Sequence, residues 1–187
     1  MENTDIFDRA IETATAAHHG SYRKSTDIPY ILHVMEAAVI VGTMTTDPEV
    51  LAAAVLHDTV EDTPLTIEDI RAQFGNRVAA LVADESENKR EGIPAEQTWR
   101  TRKEETLNHL RHAGTEAKMI ALGDKLSNIR AISRDYDCIG DKLWERFNQH
   151  DKAQHGWYYS SVADILSELS DFAAWKEYKY LVAKVFG

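Results

Sequence analysis

Apolar residues recur three and four positions apart through most of this chain and nowhere alternate convincingly, a spacing that builds helices rather than strands. From Ile31 to Met44 the repeat runs through Ile31, Met35, Ala38, Val39 and Gly42. Asp47-Pro48 reads as a helix start, with an acid at the cap and proline in the first turn. That helix is expected to run through Val50 and His57 to Asp62, where Thr63-Pro64 ends it, because the residue before proline avoids the α region. Thr66, with Asp69 three residues on, opens another helix that Gly75 closes, and residues 76–83 continue as a short one. Glu85 to Ala95 is polar, carries Gly92 and Pro94, and reads as a loop. Further helices are expected over residues 98–111, 115–134, 141–147, 154–169 and 172–186. Nine glycines and four prolines are too few for a many-turned β protein of 187 residues. The expected fold is all-α, a single domain over residues 1–187 with about eight to ten helices.

Lysine and arginine total 21 and aspartate and glutamate 31, a formal net charge of −10. Binding to a nucleic-acid backbone wants a basic surface, so no nucleic-acid partner is expected. The longest apolar run, Val50 to Leu56, is seven residues, against the roughly 20 of a membrane span, so no membrane partner is expected. The polar, acidic start Met1-Glu2-Asn3-Thr4-Asp5 does not read as a signal peptide. Cys138 is the single cysteine, which rules out an internal disulfide and a multi-cysteine zinc site. A reducing cytoplasm is the expected compartment, and nothing in the sequence sets an oligomeric state.

The chemistry gathers where the Asp47 helix ends. Its apolar stripe of Val50, Leu51, Ala54 and Val55, extended by three and four residues, lands on His57 and Asp58 and then on Glu61 and Asp62. A buried carboxylate must be neutralised, paired or bound to a metal, and three on one short face repel one another. A divalent cation resolves the conflict; so does a helix end that has emerged into water. His33 shares a stripe with Tyr30, Ala37, Ile40 and Val41, and Asp124 a face with Ala117, Ile120, Asn128 and Ala131. Either alone is more often a hydrogen-bonded core residue than a ligand. Together with His57-Asp58 they complete a His, His-Asp, Asp set. Mixed imidazole and carboxylate donors suit Mn²⁺, with Fe²⁺ or Mg²⁺ as alternatives. Four protein ligands leave an octahedral ion open positions for water and substrate, a catalytic arrangement.

This His33 … His57-Asp58 … Asp124 pattern resembles the HD-domain metal-dependent phosphohydrolases. The words around it are more specific. Arg23-Lys24-Ser25, Pro29-Tyr30-Ile31-Leu32-His33, His57-Asp58-Thr59-Val60-Glu61-Asp62-Thr63, Phe74-Gly75 and Gly123-Asp124-Lys125-Leu126-Ser127-Asn128-Ile129-Arg130 occur in that order. They look like the hydrolase domain of RelA/SpoT-type enzymes and their small stand-alone relatives, the small alarmone hydrolases. The resemblance covers residues 5–135 well; beyond that it rests on Trp144 to Asn148 and Trp157-Tyr158-Tyr159. It implies an HD-domain helical bundle in which His33, His57, Asp58 and Asp124 hold one Mn²⁺. Glu61 and Asp62 would position and activate the attacking water, with Asn128 supporting the site. The implied substrate is (p)ppGpp, guanosine with a pyrophosphate on its 3′ oxygen, and the products are GDP or GTP and pyrophosphate. Arg23 would lie over the guanine, Lys24 and Ser25 close by, and Tyr158 near the ribose.

For the pyrophosphate, Arg100, Arg102 and Lys103 form a local basic cluster, with Lys125, Arg130 and Lys152 as further candidates and Lys103 placed first. Gly123 stands where the family commonly has alanine, residues 84–89 replace a Val-Thr or Val-Ser followed by an acid and lysine, and the segment after Arg134 is longer than in the animal relatives. An HD phosphohydrolase acting on another nucleotide or phosphoester, and a nucleotide-sensing module without turnover, are the alternative readings. The retained acids speak against the second. His18 and His19 are expected to be structural or exposed, His109 and His112 to be at most a weak second metal pair, and the C-terminal aromatics to be packing.

Overall fold

A computed structural model describes residues 2–86, 90 and 92–187, with side chains from residue 5. Among the described residues the chain is all-α, with nine α-helices: α1 Glu2–Ala17, α2 Ile31–Val41, α3 Pro48–Leu56, α4 Thr59–Asp62, α5 Ile67–Glu85, α6 Ala95–His112, α7 Thr115–Ile139, α8 Lys152–Ile165 and α9 Ala173–Phe186. Two 3₁₀ segments, Gly140–Arg146 and Leu166–Leu169, link the last three. No helix among the described residues is long and apolar enough to cross a membrane.

Local chemistry sets several of these boundaries. The Asp47 carboxylate accepts from the Glu49 amide at 3.0 Å, and Pro48 occupies the first helical position of α3. Thr66 and Asp69 form a reciprocal capping box at the start of α5. Gly75 breaks α5 at φ 88°, a conformation closed to most side chains, so the expected stop is a kink between two helical halves.

Other expectations are corrected. The helix read as continuous from Asp47 to Asp62 breaks at His57-Asp58. There the Thr59 hydroxyl donates to the Leu56 carbonyl at 2.6 Å, and the short α4 sets off afresh. Residues 141–147 are 3₁₀ rather than α, and α7 runs past Arg134 to Ile139, ending at Gly140 with φ 60°. The α1 helix, for which the sequence reading set no range, buries Ala10 and Ala14 fully, with Ile6, Phe7 and Ile11 packed beside them. Part of the loop expected over 85–95 and of the departure at 84–89, namely residues 87–89 and 91, lies outside the described residues.

The core has two halves that share α7. One packs α1, α2, α3 and α5 onto the start of α7, and the other packs α6, α8 and α9 onto the rest of it. Ile120, Leu122, Leu126 and Ile129 of α7 are fully buried, and each such side chain contributes roughly 1.5–3 kcal/mol. The α2–α7 crossing is close enough to require glycine. A Cβ on Gly123 would meet the Val41 Cγ2 at 2.7 Å and the Ala37 carbonyl oxygen at 2.8 Å. That crossing holds the first turn of α2 against the middle of α7, where two of the expected ligands lie.

Candidate active site

Three separate stretches of chain deliver four ligand-type side chains to one point. His33 comes from the first turn of α2, His57 and Asp58 from the turn after α3, and Asp124 from the middle of α7. Ligand atoms of His33, His57 and Asp58 lie within 4.8 Å of one another. The His33 Nε2 stands 3.4 Å from Asp58 Oδ2 and 3.2 Å from Asp124 Oδ1. The His57 Nε2 stands 3.1 and 3.8 Å from the same two oxygens.

The partners on the far side of each ring decide what these short approaches mean. The His57 Nδ1 is 2.8 Å from the Ala54 carbonyl, which only accepts, so the ring proton sits on Nδ1. The His33 Nδ1 is 2.8 Å from the Ser127 hydroxyl, which in turn donates to Glu36 at 2.7 Å. That hydroxyl's proton is committed to the carboxylate, so it accepts from His33. Both Nε2 atoms therefore turn lone pairs toward carboxylate oxygens that are acceptors too. The His57 Nε2 is buried and without a hydrogen-bond partner. Facing lone pairs in a buried site call for a cation between them, and this mixed nitrogen and oxygen set fits a divalent metal.

The surrounding acids favour positive charge at this point, and with no ion bound that charge is a second proton on His57. Burial works to lower the His57 pKa, but Asp58 and Asp124 outweigh it and hold the ring well above its ordinary value. Burial likewise works to raise both acids. His57 and His33 outweigh it at Asp58, and Lys125, His33 and His57 at Asp124, so both stay well below the usual carboxylate range. Tyr30 donates to Asp58 Oδ2 at 2.6 Å, and Asn128 and Lys125 both donate to Asp124. The Asn128 carbonyl oxygen accepts from the Arg23 guanidinium at 2.5 Å.

Around this point lies a cleft of about 150 Å³ walled by Asp58, Glu61, Asp62, Glu85, Lys103, Asp124, Lys125 and Tyr158, among others. A second cavity of about 580 Å³ adjoins it and shares Arg23, Tyr30, His33 and Asn128.

Residues 10–149 match the protein-family model described as the HD domain. The chain belongs to the HD-domain family. The guanosine-3′,5′-bis(diphosphate) 3′-pyrophosphohydrolase MESH1 of Danio rerio is 33% identical over 135 residues, 71% of this chain and 72% of the relative. A solved structure of a metazoan ortholog of SpoT, described as hydrolysing ppGpp, matches with a TM-score of 0.72 at 27% identity, covering 97% of this chain and 93% of that one. A crystal structure from Listeria monocytogenes matches at 0.73 and 31% identity, covering 87% of this chain and all of that one.

Within this HD domain the residues expected to bind substrate take different places. Arg23 lies between the two cavities, its guanidinium 5.5 Å from the Tyr30 ring centre. Lys24 lines only the larger cavity and donates to Asn148 at 2.9 Å. Ser25 sits exposed in the turn before α2 at φ 57° and lines neither cavity. Lys103 lines the cleft with its ammonium 5.1 Å from the Tyr158 ring centre. Tyr158 is almost fully buried, and its hydroxyl has no hydrogen-bond partner among the described residues. Glu61 and Asp62 of α4 line the cleft together with Asp58, Lys103 and Tyr158.

Most of the expected basic cluster is engaged elsewhere. Arg100 pairs with Glu104 and lies 3.3 Å from the Trp157 ring centre. Arg102 is buried against Thr98, Arg130 is paired with Glu36 and Glu177, and Lys152 donates to Tyr136. Lys125 does line the cleft, bound to Asp124. His109 meets Asp84 at 3.2 Å while His112 turns to the Asn108 carbonyl, so these two do not converge. His18 is buried and stacked 5.0 Å from Tyr30, whereas His19 is exposed.

Tyr30, Glu36, Ser127 and Glu85 are site residues that the sequence patterns did not single out. For Glu85 a signal was present, because it falls in the segment that departs from the family pattern. Burial, partly offset by Lys125, pushes its carboxyl up to about 7.

Proposed function

We propose that this HD-domain protein hydrolyses the 3′-pyrophosphate of (p)ppGpp, giving GDP or GTP and pyrophosphate. A divalent ion, Mn²⁺ first, would be held by His33, His57, Asp58 and Asp124. One observation carries the reading: two imidazole lone pairs face two carboxylates at 3.1–3.8 Å beside a nucleoside-sized cavity. The names of the relatives supply the substrate.

A bound ion would supply Lewis acidity, lowering the pKa of water and drawing charge onto a phosphoryl oxygen of the phosphorus under attack. The chain's own residues do the rest. Glu61 and Asp62 orient the attacking water and take its proton. The water oxygen forms a bond to the phosphorus next to the 3′ oxygen, the bond between that phosphorus and the 3′ oxygen breaks, and the 3′ oxygen takes up a proton from solvent to become the hydroxyl of GDP or GTP. Lys103 and the unpartnered Tyr158 hydroxyl offer donors to the pyrophosphate oxygens. Arg23 presents a flat cation that stacks on the base, which lysine does less well. Asn128 ties Arg23 to Asp124, so base recognition and the metal ligand share one hydrogen-bonded chain. The apolar walls of the larger cavity, Ile28, Leu32, Leu143, Phe147 and Tyr159, suit a nucleoside.

The six acids around the cleft, Asp58, Glu61, Asp62, Asp84, Glu85 and Asp124, would repel a polyanion, so the ion binds before the substrate. We further propose that all 187 residues act as one hydrolase domain in a reducing cytoplasm, where the exposed thiol of Cys138 stays free.

The test is to incubate Mn²⁺-loaded protein with ppGpp, pppGpp and a panel of other nucleotides. GDP or GTP with stoichiometric pyrophosphate is expected. Turnover of other nucleotides alone would favour the broader phosphohydrolase, and tight nucleotide binding with no turnover would favour the sensing module.

A further inference from the structure

The structure assigns Glu36 a positioning role, exercised on the metal-facing nitrogen of His33 through the Ser127 hydroxyl. The inference rests on the metal site proposed above. Glu36 reaches no ligand directly. Its Oε2 accepts from Ser127 at 2.7 Å, and Ser127 Oγ accepts from His33 Nδ1 at 2.8 Å. Its other oxygen accepts from Arg130 at 3.0 Å. Arg130 is itself gripped by Glu177 of α9 through two bonds of 2.7 and 2.6 Å. The relay therefore runs from the C-terminal helix to the metal centre with each side chain held in turn.

Its direction is fixed by chemistry. A carboxylate only accepts, and a serine hydroxyl has one proton to give. With that proton on Glu36, Ser127 can only accept from His33, which places the ring proton on Nδ1 and keeps the Nε2 lone pair for an ion. Remove the carboxylate and the hydroxyl is free to turn and donate to Nδ1. The ring proton then moves to Nε2, where Asp58 Oδ2 and Asp124 Oδ1, at 3.4 and 3.2 Å, accept it. That proton occupies the space the ion needs. The two imidazoles differ here. His57 is oriented by the Ala54 backbone carbonyl, which no side-chain substitution alters, so His33 is the ligand whose proton placement depends on other side chains.

Glu36→Gln is the informative change because it keeps the shape. Arg130 claims the amide oxygen, which leaves the amide NH₂ facing Ser127 and reverses the relay. Glu36 and Ser127 also line the larger cavity, so the readout must exclude nucleotide. Metal-stripped wild type, Glu36→Gln, Ser127→Ala and the double variant are titrated with Mn²⁺ alone by calorimetry, and thermal melts confirm that each is folded.

Each single variant is expected to bind Mn²⁺ about 10–100-fold more weakly, the usual effect of losing a partner behind a ligand. The double variant is expected to be no worse than the weaker single one, since both act through one hydrogen-bonded chain. Wild-type affinity in Glu36→Gln, or losses that multiply in the double variant, would overturn the assignment. So would a wild type that binds no Mn²⁺, which would remove the metal site as well. Normal Mn²⁺ binding with no turnover of ppGpp would count against the substrate assignment alone and leave the relay standing.

Discussion

Gly123→Ala adds one methyl group where α7 crosses α2, one residue before Asp124 and one turn before Ser127. Its Cβ would fall 2.7 Å from Val41 Cγ2 and 2.8 Å from the Ala37 carbonyl oxygen, against ordinary contacts that begin at 3.4 Å. The shortfall is about 0.6–0.7 Å. Val41 has little room to turn, being fully buried, and the Ala37 oxygen is helix backbone. The relief must come from α7 backing away, which carries Asp124 and Ser127 away from His33. A catalytic constellation tolerates misplacement of only about 0.5 Å, so Mn²⁺ affinity and turnover should each fall at least tenfold.

Stability should change much less. Overpacking costs about 1–3 kcal/mol, and replacing a mid-helix glycine by alanine returns about 1 kcal/mol. The net loss is about 0–2 kcal/mol, a few degrees of melting temperature for a chain of this size. Mn²⁺ titration and a thermal melt on the same preparation check both halves. A variant with wild-type Mn²⁺ affinity and a melting temperature raised by a few degrees would refute the reasoning. It would show that the crossing relaxes freely and that Gly123 is an ordinary helical residue.

Tyr158→Phe removes a buried hydroxyl that has no hydrogen-bond partner among the described residues, so stability should hold or rise by about 1 kcal/mol, while kcat/KM for ppGpp drops about tenfold; unchanged kinetics would remove Tyr158 from the substrate site. Glu85 titrates at about 7 in the folded protein against 4.5 ordinarily, so the folded state holds its proton more tightly than the unfolded chain and loses stability as pH rises from about 4.5 through 7. In metal-stripped protein Glu85→Gln should remove that slope and gain about 1–3 kcal/mol at pH 8, as denaturant melts across pH would show. Arg77 joins Asp47 and Glu49 of the α3 start to Glu116 of α7 at 2.6–2.7 Å. Arg77→Ala should cost about 1–2 kcal/mol at pH 7 after allowance for solvent screening. Because the Arg77 hydrogen bond lowers the Asp47 pKa, that difference should shrink as pH falls through the folded Asp47 pKa, and a loss independent of pH would contradict it.

Features decided by one or two neighbouring residues were legible in the sequence. The Asp47-Pro48 start, the Thr66–Asp69 capping box and the break at Gly75 each follow from local backbone chemistry, and each is where it was expected. The four ligand-type residues were legible for a different reason. A polar group that interrupts a buried apolar stripe needs a compensating partner, and His33, His57 and Asp124 all proved buried.

The turn at His57-Asp58 was not legible. No glycine or proline marks it; it is made by the Thr59 hydroxyl on Leu56 and by His57 on Ala54. The fates of Arg100, Arg102, Arg130 and Lys152 were hidden because a cation's partner can lie far along the chain, as Glu177 does from Arg130. Glu36 was hidden by its ordinariness: a partly exposed acid on a helix reads as solvated until Ser127, 91 positions away, is brought against it.

The central claim is tested most directly by growing crystals with Mn²⁺ and locating the ion by anomalous scattering. A single peak bonded by Nε2 of His33, Nε2 of His57 and the carboxylates of Asp58 and Asp124 is expected, and it should vanish in His57→Ala and in Asp58→Ala. A well-ordered site with no peak, or an ion bound elsewhere that survives both substitutions, would contradict the account.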